Sequence, residues 1–197
     1  MIAKLHKANG GSTGHKIWNF KFPDPQIPKF QPKEGKCLTG NYGYWDRHKF
    51  YAGAFQNAAI PWTCTVVRKG TASTSAKLLD RLNYFRLQKD FKKGSADKWI
   101  ENFSAGSSSI VLKTVKNTEI SEFVLYYSGE CTNFAVETSV DGRNWKKVSA
   151  PAALKATEKE VKYLSVACPG KYKQIRLLFN VPADKKFTAV EAEVWKN

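Results

Sequence analysis

From Ile110 to the C-terminus the sequence reads as an all-β, antiparallel β-sandwich. Seven short segments of strand character follow one another: Ile110–Val115, Ile120–Tyr127, Phe134–Val140, Trp145–Val148, Val161–Ala167, Tyr172–Asn180 and Ala189–Trp195. Turn pairs stand between them, among them Lys116-Asn117, Ser128-Gly129, Asp141-Gly142 and Pro169-Gly170. Many short strands at this spacing argue for a sandwich and against alternating β and α units.

The best-defined unit is a hairpin. Phe134, Val136, Thr138 and Val140 alternate with Glu137 and Ser139, the period of two that marks a strand with one buried face. Asp141-Gly142 supplies a turn, because glycine takes positive φ without steric cost. Trp145 to Val148 then runs back as the second strand, and Trp145 is expected to plug the core.

The remaining elements follow in chain order. Residues 1–16 carry a Gly/Ser-rich linker pattern, and Ile17 to Phe22 offer one short strand. Pro23, Pro25, Pro28 and Pro32 prevent a regular ladder and favour an extended arm. This basic, Pro-rich extension is assigned to residues 1–45 and the sandwich domain to residues 46–197. Residues 37–62 interleave aromatics with Arg47, His48 and Lys49, a mixture that either stacks sugars or staples a loop to a core. Trp62 to Arg68 alternates as a strand. Ser75 to Leu82 has helical spacing with Ser75 as N-cap.

Charge is unevenly placed. The chain carries +15, with 18 Lys and Arg against 6 Asp and Glu in residues 1–99, and 14 against 11 in residues 100–197. The N-terminal half is therefore suited to an anionic partner or simply to a solvated surface. No segment approaches the roughly 18 apolar residues that a membrane-crossing helix needs. Nor does the N-terminus lead into the apolar block of a signal peptide. The four cysteines form no CxxC pair, which argues against zinc. Cys37 with Cys64 and Cys131 with Cys168 are candidate bridges, and four buried thiols fit equally well.

Three stretches in order resemble the discoidin domain, or coagulation factor 5/8 type C domain, over about residues 62–197. They are Gly94 to Ile100, leading into the strands at Ile110 and Ile120; the hairpin Val136 to Trp145; and Gly170 to Leu177 with the closing Val190 to Trp195. The resemblance implies a galactose-binding-like jelly roll whose loops at one end hold the ligand. It also implies structural roles in the core for Trp99, Trp145 and Trp195. The family often holds a structural calcium in the loop before the first of these tryptophans. Here Lys92 and Gly94 stand where oxygen ligands are expected, leaving Asp97 and the distant Glu191, so no cofactor and no calcium site of that type are expected.

No nucleophile elbow, HExxH, phosphate-binding glycine loop or triad is present, so an enzyme is not expected. The pairs Glu158/Glu160 and Glu191/Glu193 read as solvated strand positions. Ligand-binding candidates, chosen by residue type and loop location, are Tyr42, Tyr44, Trp45, Arg47, His48, Arg68, Tyr84, Arg86 and Phe103. The expected function is a non-catalytic carbohydrate-binding module for a cell-surface or acidic glycan, working outside the cell or at its surface. The alternative is a structural component of an assembly such as a phage virion or surface fibre, anchored to neighbouring protein chains by the basic arm. Nucleic acid fits less well, because the aromatic segment has too few cations to track a phosphate backbone.

Overall fold

The computed structural model describes residues 36–39, 45–46, 49–50, 62–75, 77–79, 100–157 and 160–196. Among the described residues eleven strands run as β1 (Lys36–Cys37), β2 (Trp45–Asp46), β3 (Lys49–Phe50), β4 (Trp62–Arg68), β5 (Thr71–Thr74), β6 (Glu101–Phe103), β7 (Gly106–Ser139), β8 (Lys146–Val148), β9 (Leu154–Lys155), β10 (Lys162–Val181) and β11 (Phe187–Lys196). A single 3₁₀ turn at Lys77–Leu79 is what is described of the segment with helical spacing, and residues 80–82 lie outside the described residues. The Ile17–Phe22 strand and Trp99 also lie outside them.

Every described ladder is antiparallel. Two strands are far longer than the segments read from sequence, because β7 and β10 each pass through both layers of the sandwich. In the first layer Val111 of β7 pairs with Thr65 of β4 on one side and Arg176 of β10 on the other. Arg176 in turn pairs with Glu137, farther along β7, and Glu137 pairs with Lys147 of β8. In the second layer β7 from Thr118 to Tyr127 lies between the first part of β10 and β11, while β1 and β6 pair with β11 as well. The turn pairs Lys116-Asn117, Ser128-Gly129 and Pro169-Gly170 are thus not breaks. They lie within continuous strands, close to where each strand leaves one layer for the other.

The inner faces of both layers close over one core. Cys64, Val66, Ile110, Leu112, Val136, Ile175 and Leu177 face it from the first layer, and Phe123, Leu125, Ala192 and Val194 from the second. Burying a Leu, Ile or Phe side chain of this kind contributes about 1.5–3 kcal/mol. Trp62 belongs to this core. A second apolar cluster holds Val124, Tyr126, Val190 and Trp195 with Ile100 and Val161. Trp195 is therefore core, but its indole Nε1 also donates to Glu193 Oε2 at 2.9 Å. Glu191 and Glu193 are buried, contrary to their reading as solvated positions.

The hairpin forms in the expected register, Val136 opposite Val148 and Thr138 opposite Lys146. Its turn is tied by Asp141, whose Oδ1 accepts from the backbone N–H of Arg143 and Asn144, each at 2.8 Å. These donors hold the Asp141 carboxyl well below its ordinary range. Gly142 has φ of +77°. Two expectations need correction. Val140 leaves the buried face and is 50% exposed, because the alternation ends where the turn begins. Trp145 is half-buried and lies outside the core, beneath the guanidinium of Arg176 at 4.0 Å from the ring centroid.

Two further points concern the N-terminal side and the thiols. Lys36–Cys37 pairs with Lys196 and Trp195, and Leu38 N–H donates to Val194 O at 2.7 Å, so part of the segment assigned to the arm completes the sandwich. All four cysteines are free thiols.

Candidate functional site

One end of the sandwich gathers four turns. The β4–β5 turn reaches β7 through Lys69 N–H, which donates to Ser107 O at 3.3 Å. The corner of β7 after Gly129 is fixed to the β10–β11 loop by Glu130 N–H, donating to Lys186 O at 2.9 Å. Asn180 of β10 lies between, paired with Ser107 on one side and Thr132 on the other. The β6–β7 turn at 104–105 completes the group.

Arg68 organises this end. It closes β4, whose alternation buries Trp62, Cys64 and Val66 and leaves Arg68 half-buried at the last position. Its Nε donates to the Asn102 carbonyl at 2.9 Å, its Nη2 is paired with Glu101 Oε2, and its Cζ lies 4.5 Å from the Phe103 ring centroid. Glu101 Oε1 accepts from Ser75 Oγ at 2.5 Å and has Lys77 Nζ at 3.8 Å. The Glu101 side chain is only 10% exposed, so its charge depends on these donors. Thr188 Oγ1 donates to Asn102 Oδ1 at 2.8 Å, which links β11 to the same cluster. Asn102 and Ser107 remain exposed beside it, with Asn180 half-buried.

The nine sequence candidates divide sharply. Arg68 and Phe103 are brought together, but Phe103 is 1% exposed and packs edge-on against Phe179 with centroids 5.0 Å apart. It is a core residue that supports Arg68, not a platform for ligand. Trp45 occupies a strand position opposite Phe50 in the separate β2–β3 pair. Tyr42, Tyr44, Arg47, His48, Tyr84 and Arg86 lie outside the described residues. Sequence reading missed Glu101, Asn102 and Thr188. Their signal was the alternation in Glu-Asn-Phe, which sends residues 101 and 103 inward and Asn102 outward.

The described side chains at this end are charged and hydrogen-bonding groups held in place by their neighbours. Burial pushes the thiols of Cys64, Cys131 and Cys168 up to about 12, Cys64 also by the charge of Glu101, so none is an activated nucleophile. Among the described residues no three His, Cys, Asp or Glu side chains converge on a metal-sized site. The positions 92–97, compared above with a calcium loop, lie outside the described residues.

The fold is shared with a solved structure. A chitosan-binding module from a chitosanase/glucanase of Paenibacillus sp. IK-5 superposes with a TM-score of 0.50 at 13% identity, over 70% of this chain and 96% of that one. The fold is the discoidin-type, galactose-binding-like jelly roll. Two further structures of lower TM-score are similar to this jelly roll. A GH29 fucosidase of Ruminococcus gnavus in complex with fucose gives 0.48 at 15% identity, over 69% of this chain and 25% of that one. A Clostridium perfringens CBM32 module in complex with GalNAc-β-1,3-galactose gives 0.46 at 17% identity, over 68% and 94%. No family model and no curated protein matches the chain. Among the described residues no helix is long and apolar enough to cross a membrane.

Proposed function

We propose that this chain is a non-catalytic carbohydrate-binding module acting outside the cell or at its surface, with its ligand at the turn-rich end around Arg68. The observation that carries this reading is the locked Arg68–Glu101–Asn102 cluster. Ion pair, backbone acceptor and aromatic support fix the guanidinium before any ligand arrives, which lowers the ordering cost of binding. Exposed amides and hydroxyls beside it are the groups that recognise sugar hydroxyls. The net charge of +15 favours an acidic glycan over a neutral one.

The similar modules support this reading by sharing the fold, and one of them is named for binding chitosan. No calcium is needed in it. A second reading, docking of the basic N-terminal half to neighbouring chains of an assembly, is favoured only by the excess of cations in residues 1–99.

The test is a glycan array probed with the full chain, followed by calorimetry. Binding with Kd between about 1 mM and 1 μM is expected, and Asn102→Ala and Asn180→Ala should weaken it. Incubation with the bound glycan should release no reducing ends. Failure of the full chain to bind any glycan would remove this reading.

A further inference from the structure

The outer face of the first layer is a separate surface from the turn-rich end, and its residues form an ordered row. Thr74, Thr65, Val111, Arg176, Glu137 and Lys147 lie opposite one another across six neighbouring strand segments. Strands in a sheet are about 4.8 Å apart, so the row spans roughly 24 Å. Their chain neighbours Cys64, Val66, Ile110, Leu112, Val136, Ile175 and Leu177 are in the core, so the row itself faces away from it. The dimension suits an extended polymer better than a single small molecule.

Arg176 is the fixed point of this face. Its guanidinium stacks on Trp145, with Cζ 4.0 Å from the ring centroid. Both Nε, at 3.0 Å, and Nη2, at 2.5 Å, donate to the same Glu137 oxygen. A guanidinium has five N–H donors, so three remain for a ligand on a group whose orientation is already set. Glu137 balances the charge of Arg176. Lys113 and Lys147 are exposed on the same face, and among the described residues neither makes an ion pair, which leaves the face positive. Val111 and Leu178 are half-exposed near its centre and offer apolar contact to the faces of sugar rings.

We infer that this face binds a linear acidic polysaccharide of the polyuronate class. Carboxylates along the polymer would meet Lys113, Lys147 and Arg176 while its ring faces lie over Val111 and Leu178. A single-stranded nucleic acid fits less well, because it needs aromatic faces for successive bases and Trp145 is already covered on one side by Arg176. The inference rests on the module reading for the class of ligand. It does not rest on the site around Arg68.

The test uses the full chain and polygalacturonate as probe, at two salt concentrations, beside any neutral glycan found on the array. In Lys113→Glu/Lys147→Glu, affinity for polygalacturonate should fall at least about tenfold, or about 1.4 kcal/mol. Affinity for the neutral glycan should stay unchanged. Arg176→Lys keeps the charge but not the planar stack, and should weaken polygalacturonate binding with the circular dichroism spectrum unaltered. Binding to polygalacturonate should also weaken as salt rises. Polygalacturonate binding that survives the double variant would overturn the inference, as would tighter binding of single-stranded DNA than of polygalacturonate. Wild-type binding of neutral glycans without polygalacturonate would overturn this inference alone. Binding of no carbohydrate at all would overturn the module reading together with it.

Discussion

The carbonyl oxygen of Lys186 lies 2.1 Å from where a Cβ on Gly129 would sit. Gly129 has φ of +78°, and the next residue's N–H donates to that same carbonyl at 2.9 Å. The contact closes the corner of β7 onto the β10–β11 loop, at the end of the sandwich that carries Arg68. Gly129→Ala meets backbone, which cannot rotate aside as a flexible side chain would. It should destabilise the fold by roughly 2–4 kcal/mol, combining overpacking with a left-handed alanine. Urea unfolding measures it. A midpoint equal to wild type would show that the corner can open without loss.

The buried thiols make the fold sensitive to alkali. Cys64, Cys131 and Cys168 are pushed up to about 12 from an ordinary value of 9.0, chiefly by burial. Between those values the unfolded chain releases thiol protons that the native state keeps. The unfolded state therefore binds fewer protons, and stability falls as pH rises. The slope from each thiol is about 1.4 kcal/mol per pH unit, fully absent below pH 8. Unfolding midpoints at several pH values from 8 to 11 should decline steadily above about pH 9. A thiol reagent at pH 8 should label half-buried Cys37 long before the other three. A flat alkaline profile would mean that the three thiols reach solvent in the native state.

Much of the architecture was legible because period two is a local property. Val136, Thr138, Ile175 and Leu177 face inward as their alternation requires. What could not be read was continuity. Gly129 and Gly170 look like turns, yet β7 and β10 run on through both positions, and only pairing partners distant in sequence reveal it. Trp145 was misplaced for a related reason. An aromatic on an alternating strand reads as core, and nothing local to it announces Arg176, thirty-one residues on, as its cover. At the turn-rich end Arg68 was legible as a cation closing a strand. Its carboxylate partner was not, because Glu101 reaches it only through the meeting of β4, β6 and the 3₁₀ turn.

Calcium should not stabilise this chain. The stretch whose sequence resembles a calcium-binding motif carries Lys92 and Gly94, a cation and a residue with no side-chain oxygen, where ligands are expected. Calcium takes six to eight oxygens, so a lysine among them opposes the ion. Thermal unfolding with millimolar calcium and with a chelator should give the same midpoint. A midpoint that climbs with calcium as RT ln(1 + [L]/Kd) would show that other oxygens complete a site.

The N-terminal half offers two cuts with different expected outcomes. Lys36–Cys37 pairs with the edge of β11, Thr39 Oγ1 accepts from Val194 N–H at 3.2 Å, and Leu38 N–H donates to Val194 O at 2.7 Å. Removing residues 1–35 leaves these bonds in place and should leave a folded sandwich. Removing residues 1–45 strips them and exposes the edge of β11, at a cost of roughly 2–4 kcal/mol for several backbone hydrogen bonds and with a new tendency to associate through that edge. The shorter truncation also separates the two functional readings, since it removes six lysines together with Asp24 and Glu34, a net +4 of the +12 in residues 1–99. If the chain is a module, the truncated protein should bind glycan much as the full chain does. If the basic arm is a docking segment, glycan binding is absent from both forms and capture of neighbouring chains is lost on truncation. Array binding and pull-down on both forms, at low and high salt, distinguish these outcomes because exposed charge is screened within about 10 Å at 0.1 M salt.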